Sequence, residues 1–63
     1  MTLKELVEET KDTTFKGLQF VSIYKEGKKS MAHPLDFILL ACGNRLVKDY
    51  LYFPNLNTLI VEF

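Results

Sequence analysis

The residues with the chemistry to attack or bind a substrate are few. The chain has one cysteine and one histidine. A thiol becomes a nucleophile only when a base or a positive field favours the thiolate, and His33 is the only imidazole available to Cys42. If "HPLDFILLAC" forms a helix, at about 100° per residue position 42 lies on the opposite side from position 33 and more than two turns away. The two cannot meet on that helix. The projection instead places Leu35, Ile38, Ala41 and Cys42 on one apolar arc opposite Asp36, so Cys42 is expected to pack in the core. His33 precedes Pro34 and reads as a helix-boundary residue, and neither Ser22 nor Ser30 stands in a recognisable triad spacing. No phosphate loop, Rossmann glycine pattern, His-x-Glu or paired-cysteine deaminase motif is present. The expectation is a chain with no catalytic activity, no cofactor and no metal.

The same helical projection directs attention outward. Leu40 falls within about 40° of Asp36, on the side that the charged residue marks as solvent-facing, and Phe37 borders it. An outward Leu beside a Phe is a candidate contact patch. Tyr50 and Tyr52 in "KDYLYF" and the acidic face Glu5, Glu8 and Glu9 are the other candidate partner-binding groups. Asp12 extends the acidic group, which also reads as an ordinary solvated helix face. Lys25, Lys28, Lys29, Arg45 and Lys48 form the alternative, a nucleic-acid-binding set. Lysines at a hairpin commonly serve solubility and edge protection, so protein binding is preferred.

Composition bounds these readings. Sixty-three residues allow one domain, and the 48% hydrophobic and 25% charged content is that of a folded chain. One cysteine excludes an internal disulfide, and with one histidine it cannot build a four-ligand zinc site. With neither staple, self-association into a homodimer is an expected source of extra burial. Zero formal net charge argues against a general affinity for nucleic acid or anionic membranes. The opening "MTLKELVEET" lacks the features of a secretory signal and no apolar run approaches about 18 residues, so a cytoplasmic protein is expected.

The elements that must position these residues can be read in turn. Thr2 and Glu5 have capping-box spacing, and Leu3, Leu6 and Val7 form the stripe of a helix that ends near Thr10 in "TKDTT". "LQFVSIY", residues 18 to 24, reads as a strand with Leu18, Phe20 and Tyr24 on one face and Val21 and Ile23 on the other. Apolar groups on both faces place it inside a sheet or beneath a cover. "KEGKK" supplies a hairpin turn into a short strand over 29–32. Pro34 suits a first helical position, Asp36 the helix start and Gly43 a left-handed cap, giving a helix over 34–42. Residues 46–53 fit a strand or the continuation of one helix through Gly43, and Gly-Asn favours the strand. "PNLN" is a turn and "TLIVEF" a strand. The fold class is α+β: a small antiparallel sheet with two short helices, in the order α-β-β-α-β-β.

"TLKELVEET" at the start, the helix ending "LLACGN", then "VKDY" and the closing "NTLIVEF" resemble short proteins encoded by phages and mobile elements of low-GC Gram-positive bacteria. The likeness rests on generic caps and strands and carries no functional residue. It implies inhibition of a host protein such as a CRISPR nuclease, a polymerase or a DNA-repair enzyme. A strand at a chain end can also be a sheet edge, so "TLIVEF" pairing with its own copy is a further expectation, that of a self-assembling structural protein.

Overall fold

Thr2 opens the first helix through a reciprocal capping box. Its hydroxyl accepts the Glu5 N–H at 3.2 Å, and the Glu5 carboxylate accepts the Thr2 N–H at 2.9 Å. In the computed structural model, which describes residues 1–63, helix α1 spans Leu3–Thr10 and buries Leu3, Leu6 and Val7, the stripe expected from spacing. Two of its otherwise orphaned donors find carbonyls far along the chain: Leu3 N–H donates to Arg45 at 3.0 Å and Lys4 N–H to Gly43 at 2.9 Å. The helix start is thereby tied to the loop that follows the second helix.

Strand β1, Phe20–Lys25, turns through Glu26 and Gly27 into β2, Lys28–Lys29. Both turn residues have positive φ, 52° and 79°, as a two-residue type I′ hairpin requires. The expected strand over 29–32 is shorter than read. Ser30 N–H still donates to the Ile23 carbonyl at 2.8 Å, but its hydroxyl rather than its carbonyl accepts the Ile23 N–H, and the chain returns as β3, His33–Pro34, against the start of β1. Pro34 is thus the cap of helix α2, Leu35–Cys42, rather than its first residue. Gly43 ends that helix at φ −58°, so the expected left-handed cap is not formed. The terminal N–H instead closes an ordinary helical bond to Leu39, and a Cβ at this glycine would run into the Leu39 carbonyl. Close approach, rather than handedness, is what requires glycine here.

Beyond Gly43 the chain turns through Asn44 and Arg45, Leu46 bridges to Thr2, and β4, Asp49–Phe53, is a strand rather than a continued helix, though shorter than the expected 46–53. A single 3-10 turn, Pro54–Leu56, and left-handed Asn57 lead into β5, Thr58–Glu62. The sheet order is β2-β1-β5-β4, with β3 pairing β1 on the same side as β2. The class is α+β and the element order follows expectation, with β3 a short addition. The sheet is mixed rather than wholly antiparallel, because β1 and β5 run parallel, Phe20 opposite Thr58 through Tyr24 opposite Glu62. "TLIVEF" is consequently a central strand rather than an edge. Its Leu59 and Val61 are fully buried, and its backbone already pairs on both sides, which removes the expectation that it recruits its own copy by strand pairing.

Both helices contribute to a core on one face of this sheet, where Leu3, Leu6, Val7 and Ile38 meet Val21, Leu59 and Val61. Leu18, Leu35, Leu39 and Cys42 pack around that cluster, so Cys42 is a packing residue as projected. Ala41, expected on the same arc, is exposed. Leu18 precedes β1 and packs against the core instead of sharing a face with Phe20 and Tyr24.

The eighth core member, Phe15, comes from the irregular segment between α1 and β1, and turn-rich "TKDTTFKG" gave no sign of it. Its ring meets Tyr50 edge-on at 5.4 Å and Tyr52 at 5.0 Å.

Candidate functional site

Strand alternation decides what the other face of the sheet carries. With Val21, Leu59 and Val61 turned to the core, the registers place Phe20, Ser22 and Tyr24 of β1 on the opposite face. Beside them stand Thr58, Ile60 and Glu62 of β5, then Phe53, Leu51 and Asp49 of β4. Lys29 and Pro34 join from β2 and β3. No element of the chain covers this face. Leu51 is 58% exposed, Tyr24 40%, and Phe20 and Phe53 38% each. A groove of about 320 Å³ runs over it, lined by Tyr24, Lys29, Leu51 and Ile60 with Asp49, Tyr50 and Glu62. On the same face, between Phe20 and Tyr24 along β1, Ser22 is buried and its hydroxyl has no hydrogen-bond partner.

The sequence signal for this surface was the double apolar phase of "LQFVSIY". That pattern correctly placed β1 inside a sheet, but it also suggested a cover that the chain does not supply. The aromatic and aliphatic set Phe20, Tyr24, Leu51, Phe53 and Ile60 was missed as a unit because its members come from three strands far apart in sequence.

Leu40 and Phe37 lie where the helical projection put them, on the outer side of α2, Leu40 90% exposed. Phe37 stacks on His33 with ring centres 5.6 Å apart. They form a separate, smaller patch. Tyr52 is a correction: its ring lies against Phe15 and its hydroxyl donates to the Lys16 carbonyl, so it serves the core and not an open surface. Tyr50 packs on Phe15 but remains about half exposed and reaches the rim of the groove. Of the acidic set, Glu8 and Glu9 are free and exposed, whereas Glu5 is engaged in the capping box. The Thr2 backbone N–H, and then its side chain, hold the Glu5 carboxyl below its ordinary value of 4.5.

The fold brings the five basic candidates to one end of the sheet without making a uniform patch. Lys25 and Lys28 face each other across the hairpin, Lys29 pairs with Tyr24, and Lys48 precedes Asp49. The Arg45 guanidinium lies 4.6 Å above the Phe63 ring. Glu26, Asp49 and Glu62 stand among them. No group of three or more His, Cys, Asp or Glu side chains is placed to hold a metal ion, and no helix is long and apolar enough to cross a membrane.

No protein-family model, curated protein or solved structure matches the chain.

Proposed function

We propose that this chain is a non-enzymatic protein-binding module, acting stoichiometrically on a host protein in the manner of phage-encoded inhibitors. A CRISPR nuclease or another nucleic-acid enzyme in the cytoplasm is the target class. The observation that supports protein binding is the uncovered sheet face, where Phe20, Tyr24, Leu51 and Phe53 are together and partly exposed. Apolar and aromatic groups gathered in this way gain affinity by desolvation on a partner surface, and a shallow open groove suits a surface better than a small substrate.

The nucleic-acid alternative through Lys25, Lys28, Lys29, Arg45 and Lys48 draws on their shared end of the sheet. It is weakened by the carboxylates interleaved there, which repel phosphate.

The experiment immobilises the native chain and a Leu51→Asp variant of equal folded content against a low-GC Gram-positive lysate. The captured host enzyme is then titrated for loss of activity. A host protein retained by the native chain, lost with the variant and inhibited at a one-to-one ratio supports the reading. Equal capture by both chains, or capture without inhibition, removes it.

A further inference from the structure

The open sheet face has an internal order that bears on what covers it. Cross-strand register divides it into three rows. The first reads Lys29, Tyr24, Glu62, Asp49 from β2 to β4. The second reads Ser22, Ile60, Leu51, and at its near end the irregular residues 30–32 join β2 to β3, with Met31 exposed. The third reads Pro34, Phe20, Thr58, Phe53. The first row is positive at one end and negative at the other, and at the centre of the second row and throughout the third a large side chain at one position is matched by a smaller one at its mirror position.

We propose that a second copy of this chain covers this face, in an isologous dimer whose two-fold axis runs parallel to the strands between β1 and β5. The proposal rests on reading the open face as a protein-binding surface, and it makes a second copy the occupant in the free protein, which a host protein binding there displaces. Rotation about that axis lays each row on itself in reverse. Lys29 then stands over the partner copy's Asp49, and Tyr24 over its Glu62. Ile60 faces the small, buried Ser22, Leu51 meets the segment 30–32 with its exposed Met31, Phe20 lies over Thr58, and Phe53 lies over Pro34. Charge and size are complementary at the same time, as an isologous interface demands. The arrangement is also the aligned packing that two twisted sheets adopt face to face.

The other two-fold arrangements do not share this property. An axis across the strands sets the charged first row on the aromatic third row, burying carboxylates without partners. An axis normal to the sheet pairs β4 with its copy and leaves the face uncovered. Nucleic acid on this face would bring phosphates against Asp49 and Glu62. A face this size buries on the order of 1,000 Å² over both copies, the lower end of specific interfaces, so the dimer is expected in the micromolar range.

Sedimentation equilibrium of the full chain, from low micromolar to millimolar concentration at low salt, tests the proposal. The expected result is a mass that doubles with concentration. Lys29→Asp and Asp49→Lys should each weaken the dimer by about fivefold or more, and the double exchange should restore it, since it rebuilds the same pair with reversed sign. Circular dichroism of each variant shows that its fold is retained. A native chain that stays monomeric throughout overturns the proposal, as does a double exchange no better than either single one. A monomer that still captures and inhibits a host enzyme through Leu51 sinks the dimer alone. A monomer that captures nothing sinks the binding reading as well.

Discussion

The Tyr52 hydroxyl donates to the Lys16 carbonyl at 2.9 Å, bridging 36 residues of sequence. With the Tyr52 and Tyr50 rings against Phe15, it fastens the irregular segment between α1 and β1 to strand β4. Tyr52→Phe keeps the ring and removes the hydrogen bond, so it should cost about 0.5–1.5 kcal/mol. Phe15→Ala removes the largest fully buried side chain, and truncating a buried Phe costs about 3–5 kcal/mol. That is comparable to the whole stability a core of this size supplies, so this variant should be largely unfolded at room temperature. Urea titrations followed by circular dichroism check both. A Phe15→Ala chain with a native-like midpoint would remove Phe15 from the core.

The β1–β2 hairpin carries two local conflicts. Glu26 adopts a left-handed conformation at φ 52° that Asn tolerates better, and Lys25 and Lys28 are directly opposed. Glu26→Asn should stabilise the chain by about 0.5–1 kcal/mol, and Lys28→Glu by about 0.2–1 kcal/mol through an opposite-charge cross-strand pair. Thermal melts of the two variants and their combination measure this. Unchanged midpoints would mean that the hairpin does not contribute to the cooperative unit, and lowered ones that Glu26 and the Lys25–Lys28 pair are not local conflicts.

Local signals in the sequence determined local structure well. The Thr2–Glu5 spacing and the Leu3, Leu6, Val7 stripe located α1 and its buried face, and Gly-Asn after Cys42 correctly separated α2 from β4. Pairing between distant segments was not legible. The parallel β1–β5 pair joins residues nearly forty positions apart, and nothing in "TLIVEF" distinguishes a central strand from an edge one. Phe15 was hidden because it is an isolated aromatic in a stretch of turn formers, with no periodicity to mark its face. For the site, Leu40 and Phe37 followed from helical geometry, whereas the open sheet face required the strand order to be known.

Glu5 gives the pH dependence a sign. Its folded carboxyl lies below the ordinary 4.5, chiefly because the Thr2 N–H donates to it. A depressed folded value contributes stability that is present above the unfolded value and is lost as pH falls through the folded one. The capping-box contribution should therefore be complete above about pH 5 and decline below 4.5. Glu5→Gln should flatten the stability profile in that acid window and leave its shape near neutrality unchanged. Denaturant midpoints measured at half-unit pH steps test this. Identical acid slopes for the two chains would show that Glu5 titrates alike folded and unfolded.

Gly43 joins the two helices: its N–H continues α2 to Leu39 and its carbonyl accepts the Lys4 N–H of α1. With φ at −58°, alanine has no backbone penalty here, and its intrinsic helix preference would favour it by about 1 kcal/mol. The overlap of an added Cβ with the Leu39 carbonyl opposes this, and overpacking of a fixed backbone costs about 1–3 kcal/mol. Gly43→Ala should therefore destabilise the chain. Gly43→Asn separates close approach from handedness, because a left-handed cap tolerates Asn far better than Ala, whereas a crowded right-handed position rejects both. Asn is expected to cost at least as much as Ala in urea titrations. A clearly milder Asn variant would mean that the loop holding the start of α1 takes the left-handed turn in solution.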